Sequence, residues 1–388
     1  MSNFVYLDHA ATTPLRPEVR EAMEPYLDVT FANPSSIYRP AQEARAAVDA
    51  ARDTVAACLG ARSDEVIFTS GGTESDNAAI KGAAFARQEI GRHIVTTAIE
   101  HHAVLHPVEE LCSRFAFEAA IVPVEESGIV DTETVERAIR PDTVLVSVMW
   151  ANNEIGTIQP IEEIAAITRA RGIPLHVDAV QAAGSLEIDL ARVPVDLLSL
   201  SAHKFYGPKG VGVLFLRRGT PWWPLLSGGG QERNRRAGTE NVAGVVGLAR
   251  ALELAVSEQQ RGAEQLGCLR DRLFAGLHEQ VGDVVTNGDR ERRLPNNVNV
   301  SVCGVHGESL LVALDLAGIM ASSGSACTSG SLEPSHVVQA IGRSGELAQS
   351  SLRLTVGREN TPEQIEHFLE VMERVVSRLR RLAPAGQA

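Results

Sequence analysis

Cysteine is scarce in this 388-residue chain and nothing in its spacing suggests pairing: Cys58, Cys112, Cys268, Cys303 and Cys327 are scattered and form no C-x-x-C. That argues against a disulfide framework, a zinc ribbon or a thioredoxin-like motif, and implies reduced thiols. Basic residues are also short, 36 Lys and Arg against 49 Asp and Glu, for a net charge of −13. Without a basic stripe, direct binding to nucleic acid or anionic lipid is not expected. No apolar run reaches bilayer-spanning length, and the opening MSNFVYLDHAATTP lacks a basic segment leading into an apolar one. A cytoplasmic location with no membrane partner is therefore expected. G-x-G-x-x-G, Walker and H-E-x-x-H patterns are absent too.

What is present is an ordinary globular composition, 44% apolar and 22% charged, at a length that predicts a large domain plus a smaller one. Apolar Ala44, Val48, Ala51, Val55 and Cys58 recur at steps of four and three, predicting an amphipathic helix from Ala41 to Leu59 that stops at Gly60. Short apolar runs follow at 66–68, 94–95, 120–122, 144–148, 175–177, 197–200 and 211–216, with helical patterns or glycine-rich turns between several of them. That rhythm predicts an α/β fold with a largely parallel sheet. A helical stretch over 242–277, interrupted near Gly262 and Gly267, reads as a bridge to a second unit. Beyond it, strand-like 297–302, helix-like 308–317, a Gly/Ser-rich stretch at 322–331, strand-like 352–356 and a final helix over 362–382 suggest a small α+β domain.

Four segments carry candidate chemistry. In TSGGTESDN, small residues at Gly71 and Gly72 followed by Thr73 suit either a plain strand-to-helix turn or a phosphate held by backbone N–H groups. Asp178 ends the apolar run IPLHVDA, where it is either a cap or half of an ion pair, or else a partner for a protonated ring nitrogen. Lys204 closes SLSAHK at another strand end, where it is either a surface lysine or a buried amine that can lose its proton and attack an aldehyde; Lys209, in a Pro-Gly turn, competes with it. Glu100, His101, His102 and His106 look like metal ligands but lack a third spaced ligand, so capped or core histidines, or a ring stacked on a flat cofactor, are the readings retained.

Taken together, these segments resemble the NifS/IscS-like cysteine desulfurases, in the class-V aminotransferase branch of fold-type-I pyridoxal-phosphate enzymes. The match runs from YLDHAATTP to SLRLTVGR through GGTESDN, EHHAV, NNEIG, HVDAVQ, SAHKFYGPKG, GGGQERNRRAGTEN and SSGSACTSGSLEPSHV, in the family's order. The resemblance implies a large domain with a mostly parallel seven-stranded sheet over 15–258, and a small α+β domain from 1–14 and 259–388. It makes Lys204 the Schiff-base lysine and general base, Asp178 the partner of the ring nitrogen, and His101 the stacked ring. Gly72, Thr73, Ser201 and His203 are implied to hold the cofactor phosphate, and Gln181 to bond its phenolic oxygen. Asn153 and Arg353 are implied to take the substrate carboxylate, with Asn153 also touching the cofactor. Thr239 is implied to reach the phosphate bound by a neighbouring subunit, hence a homodimer.

The implied reaction converts L-cysteine to L-alanine and leaves the sulfur on Cys327 as a persulfide, for iron–sulfur cluster assembly or for thiolation of tRNA and cofactors. Six Ser, Gly or Thr neighbours around Cys327 argue against a buried thiol, whereas Cys303 in NVNVSVC fits a core position. Better-known housekeeping members carry a tail beyond the last helix that grips the iron–sulfur scaffold. Here the chain reads RLRRLAPAGQA, so the resemblance leaves the sulfur acceptor open. A class-V aminotransferase, a selenocysteine lyase and a non-enzymatic sulfur relay remain alternative readings.

Overall fold

Each short apolar run of the first 216 residues becomes a strand in the computed structural model, which describes residues 4–323 and 334–382. After β1 (Val5–Tyr6) come β2 (Val66–Thr69), β3 (His93–Thr97), β4 (Glu118–Val122), β5 (Thr143–Ser147), β6 (Leu175–Asp178), β7 (Leu197–Ser201) and β8 (Gly212–Leu216). Strands β2 to β8 form one seven-stranded sheet in the order β2-β8-β7-β6-β5-β3-β4. All pairings in it are parallel except the two made by β8. Every strand but the edge strand β4 is buried along its whole length, which is why the runs read as continuous apolar stretches rather than alternating ones. The fold is α/β, as expected.

A second region contains β9 (Val284–Thr286), β10 (Asn297–Val302), β11 (Ile319–Met320) and β12 (Ser351–Thr355). Strands β12-β10-β9 form an antiparallel sheet, while β1 pairs in parallel with β11. The start of the chain is thus stitched to its C-terminal half. One buried apolar cluster includes Val177, Leu198, Leu248 and Leu252; another includes Val5, Leu7, Leu273, Val300 and Phe368.

The helix Arg39–Leu59 ends on Gly60, whose φ of 63° gives the left-handed stop that the sequence suggests. The expected interruption of the 242–277 stretch does not occur. Val242–Gly276 is one α-helix, and a Cβ placed on Gly262 or Gly267 would meet nothing within 4 Å. Glycine costs an exposed helix only about 1 kcal/mol relative to alanine, which the packed ends of this helix outweigh. Cys303 also departs from its core reading: β10 stops at Val302, and the thiol lies half-buried just beyond it, before the turn at Gly304.

Candidate active site

Parallel strands of an α/β sheet offer ligands their C-terminal ends, and two adjacent ones here end in Asp178 and Ser201. The short turn Ala202–Lys204 follows directly, and because β8 returns antiparallel beside β7 the lysine stays at the strand end. Its Nζ donates to the carbonyls of Ala10 and Ala11, the latter at 2.9 Å. Those carbonyls belong to a strap clamped to the lysine turn. Thr13 Oγ1 donates to the His203 carbonyl and accepts from Tyr206 N, while His203 Nδ1 lies 3.1 Å from Thr12 Oγ1. Gln181 Nε2 donates to the same Ala10 carbonyl at 3.0 Å. Lys209, by contrast, is exposed beside Gly210.

Asp178 is buried, and Oδ1 accepts from Val180 N at 2.9 Å, which holds a turn and caps no helix. Burial, then the nearby Asp76, pushes its carboxyl up to about 7 even with Lys204 in range. Asp76 itself is held near 7 by burial. Between them His176 accepts or donates at Ser147 and Ser199 and lies 3.5 Å from Asp76, and burial lowers its pKa to about 4. The sequence reading assigned nothing to Asp76 or His176. The usable signal was alternation: on a strand, His176 and Asp178 point to the same face.

The glycines form a cradle. Helix Gly72–Ala86 starts against the sheet so closely that a Cβ on Gly72 would lie 2.8 Å from Val180 Cγ2 and 3.5 Å from Ser201 Cβ. A Cβ on Gly212 would lie 2.7 Å from the Gly71 backbone. Ser201 is buried and Thr73 exposed. Backbone N–H groups of the first helical turn, a positive dipole end and a narrow entrance suit a phosphate.

His101 caps helix His102–Phe115, its Nδ1 accepting from Ala103 N at 3.0 Å. Burial, then Lys204, lowers its pKa to about 4. A neutral ring with Nδ1 as acceptor carries its hydrogen on Nε2. Glu100, considered from sequence only as a ligand, is fully buried instead. It accepts from Thr97 Oγ1 and Met149 N, and burial raises its pKa to about 8.

Arg353, on β12, is buried; Nη2 reaches Asp8 Oδ1 at 2.7 Å and Nη1 donates to the Asn153 carbonyl at 2.9 Å. It brings the second sheet to the half-buried Asn153. Thr239 is exposed, on a loop that Arg236 ties to Glu74 at 2.8 Å, in the first turn of the glycine-led helix. Cys327 lies outside the described residues.

The residues present fit pyridoxal phosphate. A buried carboxyl held near 7 calls for a cation such as a protonated ring nitrogen, the cradle takes an anion, and an amine stands at the adjacent strand end.

Comparison with known proteins agrees. The aminotransferase class-V family matches residues 5–368. The chain is 51% identical over 387 residues to a cysteine desulfurase IscS of Dictyoglomus turgidum, covering 100% of this chain and 98% of that one. It is 52% identical over 380 residues to one from Methanosarcina thermophila, covering 98% and 94%. A solved NifS-like protein superposes with a TM-score of 0.91 at 39% identity, covering 97% of this chain and all of the other.

Proposed function

The chain belongs to the class-V aminotransferase family, and on that premise we propose that it is a pyridoxal-phosphate-dependent cysteine desulfurase, which converts L-cysteine to L-alanine and hands the sulfur to an acceptor. The observation that carries this reading is the meeting of Asp178, Lys204 and the Gly71–Gly72 cradle at neighbouring strand ends. Bound there, pyridoxal phosphate supplies an aldehyde that captures amines and a ring that stores the electrons left when the α-proton departs. Asp178 keeps the ring nitrogen protonated, because a carboxylate beside it favours the cationic form. The N-terminal turn at Gly72 and Thr73, with Ser201 and His203, holds the phosphate, and Gln181 bonds the phenolic oxygen. His101 covers the ring with its neutral imidazole and offers Nε2–H. Lys204 carries the α-proton; the Ala10 and Ala11 carbonyls stabilise its ammonium form once it has taken that proton up. Arg353 and Asn153 hold the substrate carboxylate, and Cys327 accepts the sulfur as a persulfide.

The protein acts in the cytoplasm as a homodimer, with Thr239 completing the phosphate site of its partner. Leu27, Val29, Phe31, Ile37 and Tyr38 support a dimer, since five large apolar side chains exposed within twelve residues call for a cover. The large domain spans 15–258, with 1–14 and 259–388 in the small one. The separate apolar clusters at the two ends of the Val242–Gly276 helix support that division. The sulfur goes to iron–sulfur cluster assembly or to thiolation. Incubating the cofactor-loaded protein with L-cysteine and a dithiol reductant, which reduces the persulfide back to the Cys327 thiol, should release alanine and sulfide in equal amounts. Amino transfer to a keto acid with no sulfur release would replace this reading with that of an aminotransferase.

A further inference from the structure

At the opposite ends of β6 and β7 from Asp178 and Ser201, a second cleft of about 390 Å³ opens. It shares no residue with the site above, and its volume falls in the range of small-molecule sites. The loops entering β6 and β7, the end of helix Gly72–Ala86 and the turn leaving β8 enclose it.

Its charge is opposite to that of the protein. Arg87, Arg169, Arg217 and Arg218 line it against a single carboxyl, Asp196, in a chain of net charge −13. Elsewhere some arginines are matched with acids, as Arg52 is with Glu232, or Arg140 with Glu118 and Asp142, while others, such as Arg235 and Arg380, donate to carbonyls. None of these four forms an ion pair among the described residues. Asp196 accepts from Leu175 N through Oδ2 at 2.9 Å and is one carboxyl against four guanidiniums.

Two of the guanidiniums are fixed in advance. Arg217 donates from Nε to the Val195 carbonyl at 2.7 Å and from Nη2 to the Leu190 carbonyl at 2.8 Å. Arg87 donates from Nη2 to the Gly172 carbonyl at 3.3 Å, while its buried Nε has no partner among the described residues. Arg169 and Arg218 are exposed and free to close on a ligand. Planar guanidiniums lining a cleft match phosphate oxygens better than single carboxylates, and the excess of four of them over the one lining carboxyl favours a dianion there. Between them Ile173, Pro174, Pro194 and Pro221 provide apolar wall.

We infer that this cleft binds a small phosphomonoester whose phosphate lies among the arginines and whose compact apolar body lies against the prolines. The inference does not rest on the desulfurase reading. It is tested on the fully cofactor-loaded protein, where the other phosphate cradle is filled, by calorimetric titration with inorganic phosphate and with phenyl phosphate. Ionic strength is held constant with chloride. One saturable site per chain is expected, with phenyl phosphate binding more tightly than phosphate. The double variant Arg169→Gln/Arg218→Gln changes only exposed side chains, so folding is not at stake; it should weaken binding at least tenfold and leave cysteine turnover unchanged. The variant Arg87→Gln should weaken it as well. Absence of saturable binding to the unsubstituted protein, or equal affinity in the double variant, would overturn the inference.

Discussion

Arg353 Nη2 lies 2.7 Å from Asp8 Oδ1, so the arginine assigned to the substrate carboxylate is aimed by a residue next to the strap that holds Lys204. Removing that acceptor lets the guanidinium swing. Asp8→Ala should raise KM for cysteine on the order of tenfold, equivalent to about 1.4 kcal/mol, and change kcat far less. Asp8→Asn keeps an acceptor oxygen and should recover most of the loss. Steady-state kinetics on both variants decide it, and an unchanged KM in Asp8→Ala would remove Asp8 from this role.

Lys204→Ala should eliminate turnover and the cofactor's covalent attachment, whereas Lys209→Ala, at an exposed turn, should leave both intact. Borohydride reduction followed by peptide mapping reads the attachment point. Label on Lys209 would reverse the assignment.

The stability of the cofactor-free protein should fall as pH rises from about 6.5 to 8. Asp76 and Asp178 titrate near 7 and Glu100 near 8 in the folded chain, well above their unfolded values, so the folded state keeps protons that the unfolded state has already lost. The stabilisation from these groups is greatest at low pH and drains as pH climbs to their folded values. His9, His101, His176 and His203, lowered to about 4, act oppositely, but only up to about their unfolded value near 6.5. Because Asp178 loses its proton near 4 in the unfolded chain and near 7 in the folded one, the urea midpoint of the unsubstituted protein should decline relative to that of Asp178→Asn between about pH 4 and 7. Parallel slopes in the two proteins would contradict the buried-carboxyl argument.

Much of this was legible in the sequence. Six of the seven strands of the main sheet appear as apolar runs because a sheet covered on both faces needs no polar face; the edge strand β4, only partly covered, shows a run over 120–122 alone. Asp178 and Lys204 were legible because each closes such a run. The unbroken helix was not, since propensity marks Gly262 and Gly267 as breaks while packing at both ends of the helix decides otherwise. Nor was the buried set of Asp76, Glu100 and His176, whose altered protonation comes from neighbours distant in sequence. The strap from Ala10 to Thr13 over the lysine, bridging some 190 residues, has no local signal at all.

Shared sites make a separate expectation. Co-assembling Lys204→Ala and Thr239→Val subunits gathers both lesions into one site of the dimer and leaves the other whole. Activity should recover in part relative to either parent. Verified heterodimers without recovery would show that Thr239 serves no neighbour.

Mass spectrometry of the cofactor-loaded protein after exposure to L-cysteine tests the central claim most directly. One added sulfur should map to Cys327, and Cys327→Ser should lose both that sulfur and alanine release while still binding cofactor and cysteine, because serine lacks the readily ionised soft nucleophile. Substitution of Cys58, Cys112, Cys268 or Cys303 should leave the labelling unchanged. A persulfide on Cys303, or undiminished alanine release by Cys327→Ser, would contradict the proposed mechanism.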